Sequence, residues 1–225
     1  MSDTSNFHRT GVSSSKSSAS VETEPARPVV FVLDDDPDVR EALSSFLASA
    51  GLRVFAFRSA TDFLRAEAPD CPACLVLDLQ LPDINGLDLQ QKLAEENGPP
   101  IVFISGHGDI PSSVRAMKAG AIEFLPKPFS DEELLAAISN AIAKDRETRQ
   151  EREEFAKVKK SYAQLSARER EVLPLIVAGH KNKDSAAMLG IAEITLQVHR
   201  AQIMRKMAAQ SLTDLVRMAS KLGIL

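Results

Sequence analysis

The sequence predicts an α/β, doubly wound five-stranded parallel sheet followed by a second, all-α four-helix domain. Five short apolar runs alternate with five helical stretches up to about residue 143, the pattern of a parallel sheet covered on both faces. From Leu165 onward strand-like runs disappear, and glycines at 179 and 190 punctuate helical segments. Charge changes with the architecture. Residues 29–145 carry nine Lys+Arg against nineteen Asp+Glu, whereas residues 161–225 carry nine against five. An acidic front and a basic back imply different partners for the two parts.

The first 28 residues are rich in Ser and poor in large apolar side chains. They cannot bury enough surface to offset chain entropy and are expected to be a disordered tail. Val29–Leu33 is an unbroken apolar run, as a strand buried on both faces requires, and it ends in Asp34-Asp35-Asp36-Pro37. A helix follows, with Val39, Leu43, Phe46 and Leu47 on one side and Gly51 as its stop. Strand runs recur at residues 54–57, 75–77, 101–104 and 124–125. Helices are expected at Ala60–Arg65 and at residues 87–95, 111–119 and 131–143.

Residues 143–161 are charged and lack Gly and Pro, so they read as a continuous helical linker. Phe155, Val158, Tyr162 and Leu165 form a narrow apolar seam there. It is too short to separate a coiled coil from packing on the chain's own domain. Ser166-Ala167-Arg168-Glu169 fits a capping box opening a helix that runs to about Ala178. A second helix is expected from Asn182 or Lys183 to Gly190, a third from Glu193 to Met207 and a fourth from Leu212 to Leu222. Two helices joined by the short turn at Ile191-Ala192 make a helix-turn-helix. The expected boundaries are a tail at 1–28, an α/β domain at 29–145, a linker at 146–161 and a helical domain at 162–225.

In a doubly wound sheet, ligands bind beyond the carboxyl ends of the strands. Asp34 and Asp35 end the first strand, Asp78 the third and Ser105 the fourth, while Lys127 follows the fifth. Converging carboxylates repel one another. A hard divalent cation relieves that, and oxygen ligands suit Mg²⁺. A metal beside a carboxylate nucleophile suits phosphoryl transfer, with a lysine and a hydroxyl to hold the phosphoryl oxygens.

The set Asp34-Asp35, Asp78-x-x-x-Pro82-x-x-x-Gly86, Ser105-Gly106-His107-Gly108-Asp109 and Lys127-Pro128-Phe129 resembles a response-regulator receiver domain, which is flavodoxin-like, over residues 29–145. The resemblance implies that Asp78 is the phosphoacceptor. It further implies that Asp35, Asp78 and the backbone carbonyl of Gln80 coordinate Mg²⁺, with Asp34 acting mostly through water. Lys127 would pair with the acyl phosphate, Ser105 would hydrogen-bond it, and Phe124 would be the switch aromatic. It also implies a cis Lys127–Pro128 bond. Ser105 keeps the hydroxyl of the Thr found in other members; Phe124 lacks the hydroxyl of their Tyr.

Ser166-Ala167-Arg168-Glu169-Arg170-Glu171-Val172-Leu173, Gly179, Asn182-Lys183 and Thr195-Leu196-Gln197-Val198-His199-Arg200 resemble the LuxR-type helix-turn-helix. With the first domain, the chain is similar to regulators of the FixJ/NarL type. Leu196, His199, Ile203 and Met207 recur at helical spacing as one buried face. That leaves Gln197, Val198, Arg200 and Ala201 for base edges in the major groove, and Lys183, Thr195, Arg205 and Lys206 for phosphates. Two surfaces are offered for dimerisation: the last helix, with Leu212, Leu215, Val216 and Met218, and the region from Met117 to Ile122.

The implied protein is not an enzyme beyond its own phosphoryl transfer and dephosphorylation. It is a phosphorylation-activated transcriptional regulator whose partners are a sensor histidine kinase, double-stranded promoter DNA and, when phosphorylated, a second copy. Nothing approaches the roughly 18 apolar residues of a membrane span. Two cysteines are too few for a disulfide scaffold, and a reducing cytoplasm is the expected location. Cys71-Pro72-Ala73-Cys74 precedes a strand rather than opening a helix, which argues against a redox motif. His107 is read as part of a flexible loop beside the pocket. Two alternatives remain: DNA binding independent of phosphorylation, tested by Asp78→Asn, and a receiver acting mainly as a phosphate sink.

Overall fold

A computed structural model describes residues 27–67, 69–106 and 110–224. The expectation of a disordered tail therefore lies, apart from Arg27 and Pro28, outside the described residues, as do His107, Gly108 and Asp109.

The first domain alternates strands and helices: β1 (Val29–Leu33), α1 (Pro37–Ser49), β2 (Arg53–Phe57), α2 (Ala60–Arg65), β3 (Ala73–Asp78), α3 (Gly86–Glu95), β4 (Ile101–Ser105), α4 (Ile110–Lys118), β5 (Glu123–Pro126) and α5 (Asp131–Ala163). All strands pair in parallel, in the order β2-β1-β3-β4-β5. Alternation along β1 sorts the core. Val29, Phe31 and Leu33 face a layer made by α2, α3 and α4, around Phe63, Leu89 and Ala116. Val30 and Val32 face α1 and α5, around Leu47, Leu134 and Ile138. The order reverses between β1 and β3, so the loops leaving those two strands part there and open a crevice.

Helix α5 is one unbroken element of 33 residues, about 50 Å long at 1.5 Å per residue. It opens with a capping box: the Ser130 hydroxyl accepts the Glu133 N–H, and the Glu133 carboxylate accepts the Ser130 N–H. Its packing departs from the expected boundaries, because the first domain holds the helix beyond residue 145. Arg149 pairs with Asp70 at 2.6 Å, and Arg152 donates to Asn97 Oδ1 at 2.7 Å. Two residues on, Glu154 pairs with Lys221 of the second domain. The segment 146–161 is thus a continuous bonded rod rather than a free tether. Its seam divides accordingly: Val158, Tyr162 and Leu165 join the second core, while Phe155 stays exposed.

The second domain comprises α6 (Ala167–Val177), α7 (Asn182–Leu189), α8 (Glu193–Lys206) and α9 (Leu212–Lys221). A second capping box, Ser166 with Glu169, starts α6. Gly190 ends α7 at φ 64°, a left-handed conformation that a residue bearing a Cβ adopts reluctantly. The three residues Gly190-Ile191-Ala192 then turn the chain into α8, which packs on both α6 and α7. Leu173, Leu196, Ile203 and Leu215 fill the core. Burial of Leu215 corrects the expected dimer surface on α9, because that side chain is spent inside its own domain; Leu212 alone of that set is exposed. No described helix is long and apolar enough to cross a membrane.

Candidate functional site

The crevice is lined by Asp34, Asp35, Asp78, Gln80, Ser105 and Lys127, joined by Asp36 and Gly106. Parallel pairing in register explains the convergence. Leu33 lies opposite Leu77, so Asp34 and Asp78, one residue further on, emerge side by side. Ser105 is opposite Pro126, which brings Lys127 up beside them. One carboxylate oxygen from each of Asp34, Asp35 and Asp78 lies within 4.8 Å of the others.

Lys127 Nζ sits 2.9 Å from Asp34 Oδ2 and 3.4 Å from Asp78 Oδ1. Burial alone would depress the Lys127 ammonium, but the two carboxylates outweigh it and raise its pKa, so the lysine stays charged. Burial pushes the Asp78 carboxyl above the ordinary carboxylate value; Lys127 opposes the rise and Asp34 adds to it. Asp34 is almost fully enclosed, with Oδ1 accepting the Asp36 N–H at 3.0 Å, whereas Asp35 is exposed. Two buried acidic groups and an exposed one form a donor set made of oxygen alone, which fits a hard divalent ion.

Ser105 is buried at the floor of the crevice. Phe124 is half-buried, its ring 6.0 Å from that of Phe103 and tilted by 31°. Lys127–Pro128 is cis, as expected. Gly86 has a local reason to be glycine: a Cβ there would lie 2.9 Å from the Asp78 carbonyl oxygen and 3.0 Å from Phe103 Cε1. Gly86→Ala is expected to cost about 2 kcal/mol through overpacking and to slow acceptance of a phosphoryl group at Asp78. Denaturant titration and labelling with an acyl phosphate check both parts.

Some supporting residues escaped sequence reasoning. Arg40 donates to the backbone oxygens of Asp34 at 2.8 Å and Asp35 at 3.3 Å, clamping the acidic loop. Asp36 caps α1 by accepting the Asp38 and Val39 N–H groups. The Asp36-Pro37 pair carried the capping signal; nothing in the local sequence marked Arg40. Cys71 and Cys74 are both buried free thiols, and burial, with Asp145 nearby, raises the Cys74 pKa far from reactivity.

The second site is the outer face of α8. Thr195, Gln197, Val198, Ala201 and Arg205 are exposed there, and Lys183 is exposed on α7. Leu196, Ile203 and Met207 are buried as expected, but His199 is only half-buried. Two expected contacts are otherwise engaged. Lys206 is turned inward: its Nζ lies 2.7 and 3.0 Å from the Glu169 carboxylate oxygens, an ion pair that joins α8 to the start of α6. That pair removes Lys206 from the phosphate-facing set. Arg200 is half-buried and leans towards Asn182 Oδ1 at 3.4 Å.

A family model of the response regulator receiver domain matches residues 30–139, and one of the bacterial regulatory proteins of the luxR family matches residues 163–219. The chain is 48% identical to Nodulation protein W of Bradyrhizobium diazoefficiens, over 88% of each sequence. It is 43% identical to Transcriptional regulatory protein FixJ of Azorhizobium caulinodans, over 87% of this chain and 93% of that one. Among solved structures, the response regulator StyR superposes with a TM-score of 0.77 at 48% identity, covering 87% of this chain and all of that one. Full-length FixJ from B. japonicum gives 0.52 at 38% identity, over 88% and 98%. The chain therefore belongs to the response regulators of the FixJ/NarL type, transcriptional regulators of two-component systems that join a receiver domain to a LuxR-type helix-turn-helix.

Proposed function

We propose that Asp78 accepts a phosphoryl group from a phosphohistidine of a sensor kinase and that the acyl phosphate drives dimerisation and promoter binding. The observation that carries this reading is the convergence of Asp34, Asp35 and Asp78 on Lys127 at the switch point of the sheet. An Asp78 carboxylate oxygen attacks phosphorus, the P–N bond to the kinase histidine breaks, and an acyl phosphate forms. Asp34, Asp35, Asp78 and the Gln80 carbonyl are the residues that would hold Mg²⁺. Bound there, the ion neutralises phosphoryl charge and orients the transfer. Lys127 is already charged and within reach of Asp78, so it can leave that carboxylate and follow the new phosphoryl oxygens. Ser105 offers its hydroxyl to the same oxygens, and Phe124 repacks along Phe103 as Ser105 moves.

Two features favour dimerisation as the output. Ile110, Val114 and Met117 lie on one face of α4 at helical spacing, and all three are exposed, Ile110 at 79%. An apolar stripe on a charged domain is suited to meeting a copy of itself. The stripe shares Met117 with the region expected from sequence but runs back along α4 instead of forward to Ile122, which is half-buried. The outer face of α8 is also open among the described residues, which favours direct access to DNA. Pairing two helix-turn-helix domains raises affinity through effective concentration. The free thiols are consistent with a cytoplasmic location.

Phosphorylation of wild type and Asp78→Asn with a small acyl-phosphate donor and Mg²⁺ tests the reading. The expected result is that only wild type gains phosphoryl mass and doubles its mass in light scattering. Modification of both proteins places the acceptor elsewhere. Modification of wild type without dimerisation removes the proposed output.

A further inference from the structure

The exposed face of α8 has a composition unusual for a surface that meets a polyanion. Ile194, Gln197, Val198 and Ala201 recur at i, i+3, i+4 and i+7, and all four are exposed, Ile194 at 67% and Val198 at 55%. No charged side chain lies on this strip. Of the basic residues of the helix, Arg200 leans towards Asn182 and Lys206 is paired with Glu169, while Arg205 follows the strip one turn beyond Ala201, bonded to Gln202 Oε1 at 2.6 Å. In helix-turn-helix proteins the N-terminal half of the second helix meets the base edges, and Ile194 is the second residue of α8.

Among the groups bases display in the major groove, the thymine 5-methyl is the one apolar feature. We propose that Ile194 and Val198 read thymine by packing on these methyl groups, so that the core of each half-site is built of A·T pairs. The proposal rests on the DNA-binding reading and deepens it by naming the base class. Ile194 and Val198 are one turn apart, about 6 Å along the helix axis, close to two base steps of about 3.4 Å. Gln197, between them, can accept from and donate to N6 and N7 of an adenine in two contacts. Guanine reading would call for an extended arginine or lysine on this strip, and the strip has none.

The test uses the full-length protein activated with beryllofluoride and Mg²⁺. Duplexes are first selected from a randomised library. Each thymine of the selected site is then replaced by deoxyuridine, which removes the methyl and leaves every hydrogen-bonding group in place. One or two positions per half-site are expected to lose about threefold to fivefold in affinity on replacement. Ile194→Ala should abolish sensitivity at one of them and Val198→Ala at the other. Both side chains are exposed, so thermal unfolding of the variants should match wild type. If uracil is neutral throughout, the methyl reading is overturned while DNA binding stands. It is equally overturned if both variants keep full sensitivity, since the methyl then acts through another residue or through DNA shape. Failure to enrich any duplex overturns the DNA-binding reading and the proposal together.

Discussion

Lys206→Ala is expected to destabilise the C-terminal domain by about 3 kcal/mol, because it leaves the buried Glu169 carboxylate without its cation. Glu169 is 4% exposed and has two duties. Oε2 accepts the Ser166 N–H at 2.7 Å, closing the capping box, and both oxygens receive Lys206. Lysine thus ties the end of α8 to the start of α6. Burial would raise the Glu169 carboxyl, but Lys206 and the Ser166 N–H overcome it and hold the group below its ordinary value of 4.5. A carboxyl with a depressed folded-state pKa contributes stability that is present above the ordinary value and lost as pH falls through the folded one. Wild-type stability should therefore drop on acidification below about 4.5, and Lys206→Ala should flatten that drop. Urea titrations of both proteins at neutral and acidic pH measure it. A variant as stable as wild type at neutral pH would show the pair to be dispensable, and Lys206 would return to the phosphate-facing set.

This ion pair also marks the limit of what the sequence discloses. Capping of α6 was legible because Ser166 and Glu169 are three residues apart and the motif is local. Its second partner is 37 residues away, and Lys206 taken alone reads as one more surface cation beside DNA. The same contrast runs through the receiver. Strand β1 could be read to the residue, since five apolar side chains stop abruptly at Asp34. Strand β3 extends beyond its legible centre because Ala73, Cys74 and Asp78 carry little strand preference, and only pairing with β1 extends the strand to include them. The pocket residues were legible because function places distinctive chemistry at strand ends. Arg40 was not, because its role is to donate to two backbone oxygens, which leave no trace in residue type. The seam on α5 was ambiguous for a related reason. Helical spacing states that a face is apolar, and the fold alone states that α6 to α9 cover it.

Asp145→Ala should have an effect of similar size on the receiver, about 3 kcal/mol, with a consequence for signalling. Asp145 is 5% exposed on α5 and serves one residue far from it in sequence and one a turn away: Oδ2 accepts the Ala73 N–H at 2.9 Å, at the first residue of β3, and the Arg149 Nε–H at 2.7 Å. Arg149 in turn reaches Asp70. The carboxylate therefore fastens the helix that leaves the receiver to the strand that carries Asp78 at its other end. Burial would lower the Arg149 pKa, but Asp145 and then Asp70 raise it, so the guanidinium stays charged. Removing Asp145 leaves the buried Ala73 N–H and the Arg149 Nε–H without their acceptor, and Arg149 with Asp70 alone. Residues 146–152 then keep only the surface contacts of Arg149 with Asp70 and of Arg152 with Asn97, while helix propensity keeps them helical. Amide exchange in that segment should accelerate, and phosphorylation of Asp78 should persist, since the crevice lies at the opposite end of the strand. The gain in DNA affinity on activation should shrink, because a dimer formed through the receivers no longer fixes where the two helix-turn-helix domains point. Asp145→Asn keeps an acceptor for Ala73 and loses the charge facing Arg149, so it should fall between. If exchange in 146–152 accelerates and the gain in affinity is unchanged, the helix is a tether, and its length rather than its attachment sets the coupling.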